Sequence, residues 1–413
     1  METEPRYPGH PTLEQPMPVR AGLPAAVATA LTLGLTATAT VPALADSPGT
    51  GTGTAAVADA TGSRPDAKAL RAAIAGLPDA DATAALVRVG GKNGIWRGSS
   101  GVRDVVTGRK ADPDARFRAG STTKVVTAAV VLQLAAEGKV DLDAPVQRYL
   151  PDLFAPNADA FRKPISVREL LNHSSGLQPG RSLGENFAEL YAHRFDTLTP
   201  QEVAASSVAK GPARAPGTRQ EYLNINYTFL GLLIEKVTGR TYESEAARRA
   251  LRPAGMRHTS FPGTDPFIHG PHHRGYQAVP KPGGGGTRLV DVTDWNHRDR
   301  FAAGDMISTT ADLERLTIRL FSGRIVPKPQ LREMFTVPSG IEGADMSAGF
   351  MRYRAPDGRV LWVKTGSRYG YTSIVAATRN LDTVLVYSVN STDAKSQNQS
   401  PVTKRIVEAA LKG

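Results

Sequence analysis

Ser121 and Lys124 stand one helical turn apart in the stretch FRAGSTTKVV, residues 117 to 126, just before a long apolar run. A serine at a helix N-terminus has backbone N–H groups and the positive end of the helix dipole beside it, ready for a developing oxyanion. A lysine three residues on shares its face. Held near a second cation in a desolvated pocket, that amine loses proton affinity and can act as a general base. The pair is not diagnostic alone, because a chain of this length carries about one S-x-x-K by chance. A second match, Ser207-Val208-Ala209-Lys210, lies in a stretch rich in small and polar residues and reads as a solvated helix face.

Two further motifs separate these twins. Tyr222-Leu223-Asn224 is the only Y-x-N in the chain and opens a strongly apolar helical stretch; Lys364-Thr365-Gly366 is the only K-T-G and ends a predicted strand. Singly, the first reads as an aromatic at a helix start and the second as a strand entering a turn. In this order behind Ser121 and Lys124 they form a set with nucleophile, base, amide and cation all supplied. His269, His272 and His273 in HGPHH suggest a metal, but they sit in a Gly/Pro loop without an H-E-x-x-H frame or nearby carboxylate ligands. No metal or cofactor is expected.

The elements that must hold these residues follow from periodicity. DAKALRAAIAGL has helical spacing, and TAALVRVG and GIWRGSSG are two short strands across a Gly-Lys-Asn-Gly turn. Thr122 to Glu137 is apolar on nearly every face, as a helix buried all round must be. Helical patterns then dominate in SVRELLNH, TPQEVAASSVAK, INYTFLGLLIEKVTG and TADLERLTIRLFSG. Near the C-terminus the period becomes two: GRVLWVKTG, YTSIVAATR and DTVLVYSVN are strands, with Arg379 to Asp382 as a hairpin turn, and VTKRIVEAALKG closes as a helix. Strand-rich ends around a helical middle predict one α+β unit: an antiparallel sheet flanked by helices, built from both chain ends, with an all-α insertion at about 145–335.

The 413 residues allow two or three units at roughly 100 to 200 residues per domain. Hydrophobic residues make up 40% and charged residues 22%, which excludes a disordered chain. The uncharged run Ala21 to Ala45 follows Arg20 and ends in Ala43-Leu44-Ala45, so residues 1–45 are expected to be a secretory signal, with Met17 an alternative start. An uncleaved membrane anchor is the alternative, disfavoured by the Thr, Gly and Pro that interrupt the run. Residues 46–65 read as a Gly/Thr/Ala-rich linker before the domain at 66–413. Cleavage removes three acidic and two basic residues and takes the net charge from +11 to +12. That charge suits anionic cell-envelope polymers as partners, whereas nucleic acid is excluded by the lack of a basic motif interleaved with aromatics. With no cysteine, the chain uses neither disulfides nor thiol catalysis.

The S-x-x-K, Y-x-N and K-T-G motifs in this order resemble those of the penicillin-recognising serine hydrolases, in the branch of class C β-lactamases and serine-type D-alanyl-D-alanine carboxypeptidases. VLQLAAEGKVDLDAPVQRYLP, ISVRELLNHSSGL, YLNINYTFLGLLIEKVTG and GDMISTTADL extend the likeness over roughly residues 66 to 410. The resemblance implies a β-lactamase/transpeptidase-like fold and a cofactor-free acyl-enzyme mechanism. In it Ser121 is the nucleophile, and Lys124 and Tyr222 share proton traffic, either being the base. Asn224 bonds the substrate amide, Lys364 and Thr365 receive a substrate carboxylate, and the backbone N–H groups of Ser121 and Ser367 form the oxyanion hole. Arg352, with Arg354 next to it, is the expected partner of a terminal carboxylate, and His173 is expected to stabilise a loop. Some carboxypeptidases of the branch carry His at the first position of the third motif, where this chain has Lys364. The activity expected is an exported D-Ala-D-Ala carboxypeptidase acting on small cell-wall peptides. The alternatives are a β-lactamase, an esterase or D-amino-acid amidase, and a non-catalytic penicillin- or peptidoglycan-binding module.

Overall fold

Residues 64–92, 94–396 and 400–412 are described by the computed structural model. The expected signal at 1–45 lies outside them, as does the expected linker up to residue 63. Chain order begins with the helix Ala67–Ala73, whose N-cap Asp66 accepts from the Lys68 and Ala69 N–H groups at 3.0 and 2.9 Å.

The described residues form ten strands: β1 (Ala82–Gly90), β2 (Trp96–Gly101), β3 (Phe117–Arg118), β4 (Tyr276–Pro280), β5 (Thr287–Asp291), β6 (Ile307–Ser308), β7 (Met351–Arg354), β8 (Val360–Arg368), β9 (Tyr371–Thr378) and β10 (Val384–Ser391). Six of them form one sheet in the order β2-β1-β10-β9-β8-β7, with antiparallel pairing throughout. The strands of the two chain ends meet at the β1–β10 pair, where Leu86 faces Ser388. This is the α+β architecture expected from the sequence.

Because strand side chains alternate between faces, the sheet carries two cores. Val375, Ala377, Val384 and Val386 join the larger core on the face covered by the helix Thr310–Phe321, while Ile374, Ala376, Leu385 and Tyr387 pack under the terminal helices Ala67–Ala73 and Pro401–Leu411. The Thr123–Ala136 helix is enclosed on all sides: every residue from Thr123 to Leu132 is buried, as is Leu134. Each fully buried Val or Leu contributes about 1.5–3 kcal/mol, so this segment is held by packing and not by an amphipathic stripe.

Between residues 145 and 335 the chain is mostly helical, with Pro200–Ala209, Asn224–Thr238 and Thr310–Phe321 the longest elements. It is not all α. The hairpin β4–β5 is inserted there, joined by the Gly-rich loop at 281–286, and β6 pairs with β3. β4 and β5 were missed because they are short and largely exposed, and β3 and β6 because two residues are too few to show alternation.

Candidate active site

The site is assembled where the N-terminal end of the buried helix meets β8. Ser121 lies in a 3₁₀ turn, Gly120–Thr122, that runs straight into that helix. The turn is fixed by its own hydroxyls: Thr122 Oγ1 donates to the Ala119 carbonyl at 3.0 Å and Thr123 Oγ1 to that of Gly120 at 2.7 Å. Two glycines permit the close approach to β8. Gly120 has φ +55°, and a Cβ there would lie 2.6 Å from the Ser367 nitrogen; a Cβ on Gly366 would lie 2.0 Å from the Ala119 oxygen. No side chain fits either position. The third residue of K-T-G is thus a packing requirement that sets the Ser367 and Ser121 backbones side by side.

Lys124 is fully buried. Its Nζ lies 3.3 Å from Ser121 Oγ, 2.7 Å from Asn224 Oδ1 and 2.7 Å from the Ala303 carbonyl oxygen. Burial foremost, then the charges of Lys364, Arg300 and Lys395, holds this amine well below the usual lysine range. A neutral amine has two N–H donors and one lone pair. The two short contacts are acceptors for those donors, and the longer one leaves the lone pair facing the Ser121 hydroxyl. The surroundings therefore suit the base form.

Tyr222 reaches the same point from the segment before the Asn224–Thr238 helix. Its ring lies under two amines, 4.9 Å from Lys124 Nζ and 4.6 Å from Lys364 Nζ. Burial raises its phenol above the ordinary tyrosine range, and a hydrogen-bonding influence from Ser121 offsets only part of the rise. The group is a proton carrier at neutral pH and not a phenolate. Burial likewise lowers Lys364 to about 7. His173, at φ +63°, stacks on Tyr222 at 4.6 Å between ring centroids, and its Nδ1 accepts from the Leu223 N–H at 3.3 Å. Burial, then Lys124 and Lys364, keeps this imidazole far below the usual range, so it is a neutral support for the Tyr222 loop.

A cleft of about 500 Å³ opens over these groups, lined by Ser121, Tyr222, Asn224, Lys364, Thr365 and Ser367 among others. Seven of the eight sequence-predicted residues gather here: six line the cleft, and Lys124 is buried behind Ser121 with its Nζ 3.3 Å from Oγ. Arg352 does not. It is exposed on the edge strand β7 and is absent from the cleft wall, as is Arg354, which bonds the Gly358 carbonyl. Strand alternation turns Met351 and Tyr353 inward and the two arginines out.

The three histidines diverge. His269 pairs with Asp265 at 2.6 Å, a nearby carboxylate where none was expected; His272 faces the Gly270 carbonyl, and His273 is buried against Asn390 and Asp112. Among the described residues no three potential ligands come together. The second S-x-x-K also differs from expectation: Ser207 is fully buried, not solvated, and donates to the Gln178 carbonyl, while exposed Lys210 donates to that of Pro179.

Sequence reasoning missed the parts whose contribution is backbone. The Ala303 carbonyl that holds Lys124 sits in the loop FAAGDM, shaped by Ala302 at φ +56° and tied to the helix by the Met306 N–H to Thr123 Oγ1 contact of 3.1 Å. Asp305, pushed up to about 7 by burial, adds a carboxyl behind Lys124. Gln220 clamps the cleft wall by accepting from the Asp345 and Met346 N–H groups, both at 3.0 Å. Only its place two residues before Tyr222 pointed to it.

Comparison with known proteins gives consistent relatives. The family profile described as Beta-lactamase matches residues 70–407. Among solved structures, a D-stereospecific amidohydrolase from Streptomyces sp. is 31% identical with a TM-score of 0.71, covering 84% of this chain and 98% of that one. D-amino acid amidase from Ochrobactrum anthropi SV3 is 26% identical with a TM-score of 0.69, at the same coverages of 84% and 98%. Protein flp of Staphylococcus aureus (strain NCTC 8325 / PS 47) is 30% identical over 214 residues, which are 52% of this chain and 40% of flp. The chain thus spans less than half of that curated relative.

Proposed function

The chain belongs to the Beta-lactamase family of serine hydrolases, and on that premise we propose that it cleaves amide bonds beside D-configured residues through an acyl-enzyme on Ser121. The observation that carries this reading is the Lys124 contact set, which directs the lone pair of a buried amine at a serine beside paired backbone N–H groups. Ser121 Oγ attacks the carbonyl as its proton passes to Lys124 Nζ, and the oxyanion is received by the Ser121 and Ser367 N–H groups. The C–N bond then breaks, Tyr222 delivers the proton to the departing amine, and water hydrolyses the ester that remains. Asn224, whose Oδ1 is taken by Lys124, offers its amide N–H to the substrate.

Two kinds of substrate fall in this class. D-amino-acid amides are favoured by the Streptomyces and Ochrobactrum neighbours. D-alanyl-D-alanine-type peptides are favoured by Lys364 and Thr365 in the cleft, which take the carboxylate contact that Arg352 does not reach. Steady-state hydrolysis of a D-Ala-D-Ala peptide, D-phenylalanine amide, a cephalosporin and a short-chain ester ranks them. Turnover of the ester alone would sink the reading. Labelling with a fluorescent penicillin, followed by intact-mass analysis, should place one adduct on Ser121 and none on the Ser121→Ala protein. We further infer export, supported by the uncharged run Ala21 to Ala45; a secreted product whose N-terminus is not Asp46 argues against cleavage there.

A further inference from the structure

A second cavity, of about 150 Å³, lies on the opposite side of β8 from the nucleophile, under the C-terminal helix Pro401–Leu411. Ile374, Ala376, Leu385, Val407 and Leu411 form an apolar part of its wall, while Asp393, Ser400 and Thr403 add polar groups. A space of this order of size accepts a benzene-sized group. Its mouth is shared with the catalytic cleft: Thr365, Ser367, Ala394 and Ser396 line both.

What joins the two is the edge of β8. β7 pairs with β8 only as far as Val363, so among the described residues Lys364 to Arg368 have a strand neighbour on the β9 side alone. Along this edge the Thr365 and Ser367 carbonyls accept from Lys364 and Lys395 Nζ, both at 3.0 Å, in place of a backbone partner. A substrate laid along the edge in extended form has side chains that alternate between the two faces of the sheet. The residue presenting its carbonyl to Ser121 addresses the front; its neighbour addresses the back, where the apolar cavity lies.

We propose that the cavity behind β8 is a specificity subsite taking an apolar side chain of leucine or phenylalanine size from the substrate residue next to the one that presents the scissile carbonyl. This rests on the hydrolase reading above. The front cleft has Arg219 and Lys395 in its wall, and Lys364 borders both spaces; the aliphatic group Ile374, Ala376, Leu385, Val407 and Leu411 belongs to the rear cavity alone, so the apolar selection falls there.

Paired D-peptides differing only in Ala, Leu or Phe at that residue test it. The full-length enzyme should show kcat/KM at least about tenfold higher for Leu or Phe than for Ala. Val407→Trp fills the cavity from the helix side, far from the reacting atoms; it should abolish this preference while leaving turnover of the Ala peptide within about twofold. That unchanged Ala rate also reports that the variant folds. Equal rates for the three peptides in the wild type, or a preference that survives Val407→Trp, overturn the subsite. Should Val407→Trp fail to fold, Val407→Ala enlarges the cavity instead and must shift the optimum from Leu toward Phe; an unmoved optimum overturns the proposal. Calorimetric binding of the same peptides to Ser121→Ala separates the two readings. Tighter binding of Leu and Phe without wild-type turnover refutes the hydrolytic reading alone, whereas equal binding refutes the subsite.

Discussion

The molecule contains the same four-residue pattern twice, and the two copies invert each other. At Ser121 and Lys124 the serine faces a cleft and the lysine is buried; at Ser207 and Lys210 the serine is buried and the lysine is exposed. The first pair sits at a helix N-terminus, whereas Ser207 is in the last turn of Pro200–Ala209 with Lys210 as its C-cap, where exposed carbonyls repel an oxyanion. Spacing brings two groups onto one face; the medium decides which of them reacts. A lysine in water keeps its proton, and a serine already donating to a carbonyl has no reactive partner.

The largest test of this contrast is removal of the hydroxyl from each copy. Ser121→Ala should lower kcat/KM by about 10⁴-fold or more and abolish penicillin labelling, while Ser207→Ala leaves both unchanged; comparable losses in the two variants would break the comparison. Next in size, Lys124→Met should reduce kcat by about 10³-fold and lower the melting temperature, because the Asn224 Oδ1 and the Ala303 carbonyl both lose their donor. Lys210→Met should be silent in kinetics.

Lys364 sharpens the contrast through pH. It is lowered to about 7 by burial, so it carries its charge below that pH and loses it above. The ratio of kcat/KM for a carboxylate-bearing D-peptide to that for the matching amide should therefore fall about tenfold between pH 6 and pH 8. A flat ratio would remove Lys364 from carboxylate binding. The smallest effect is on stability: Ser207→Ala should cost about 1–2 kcal/mol by chemical denaturation, because it strands the buried Gln178 carbonyl.

Much of this was legible in the sequence for definite reasons. The β8, β9 and β10 strands and the buried helix are long apolar runs, and Tyr222 and Lys364 carry chemistry in their side chains. Arg352 was misplaced because a one-residue register decides which side of an edge strand faces the cleft. Ser207 was misjudged because small polar residues read as surface, though a hydroxyl satisfied by one carbonyl is at home in a core. The Ala303 carbonyl and the positive φ of Ala302 and His173 had no signature at all, since they belong to backbone conformation and not to residue type.

The sheet that carries the site closes only when β1 and β2 meet strands made more than 240 residues later. Timing is built into that topology. On the ribosome the helix behind Ser121 emerges early, yet Lys364 and Ser367 follow more than 240 residues later, so a nascent or C-terminally truncated product has Ser121 and Lys124 without the β8 residues set beside them. Such long-range pairing is slow to form, so the cleft is complete only once β8 has been made and paired.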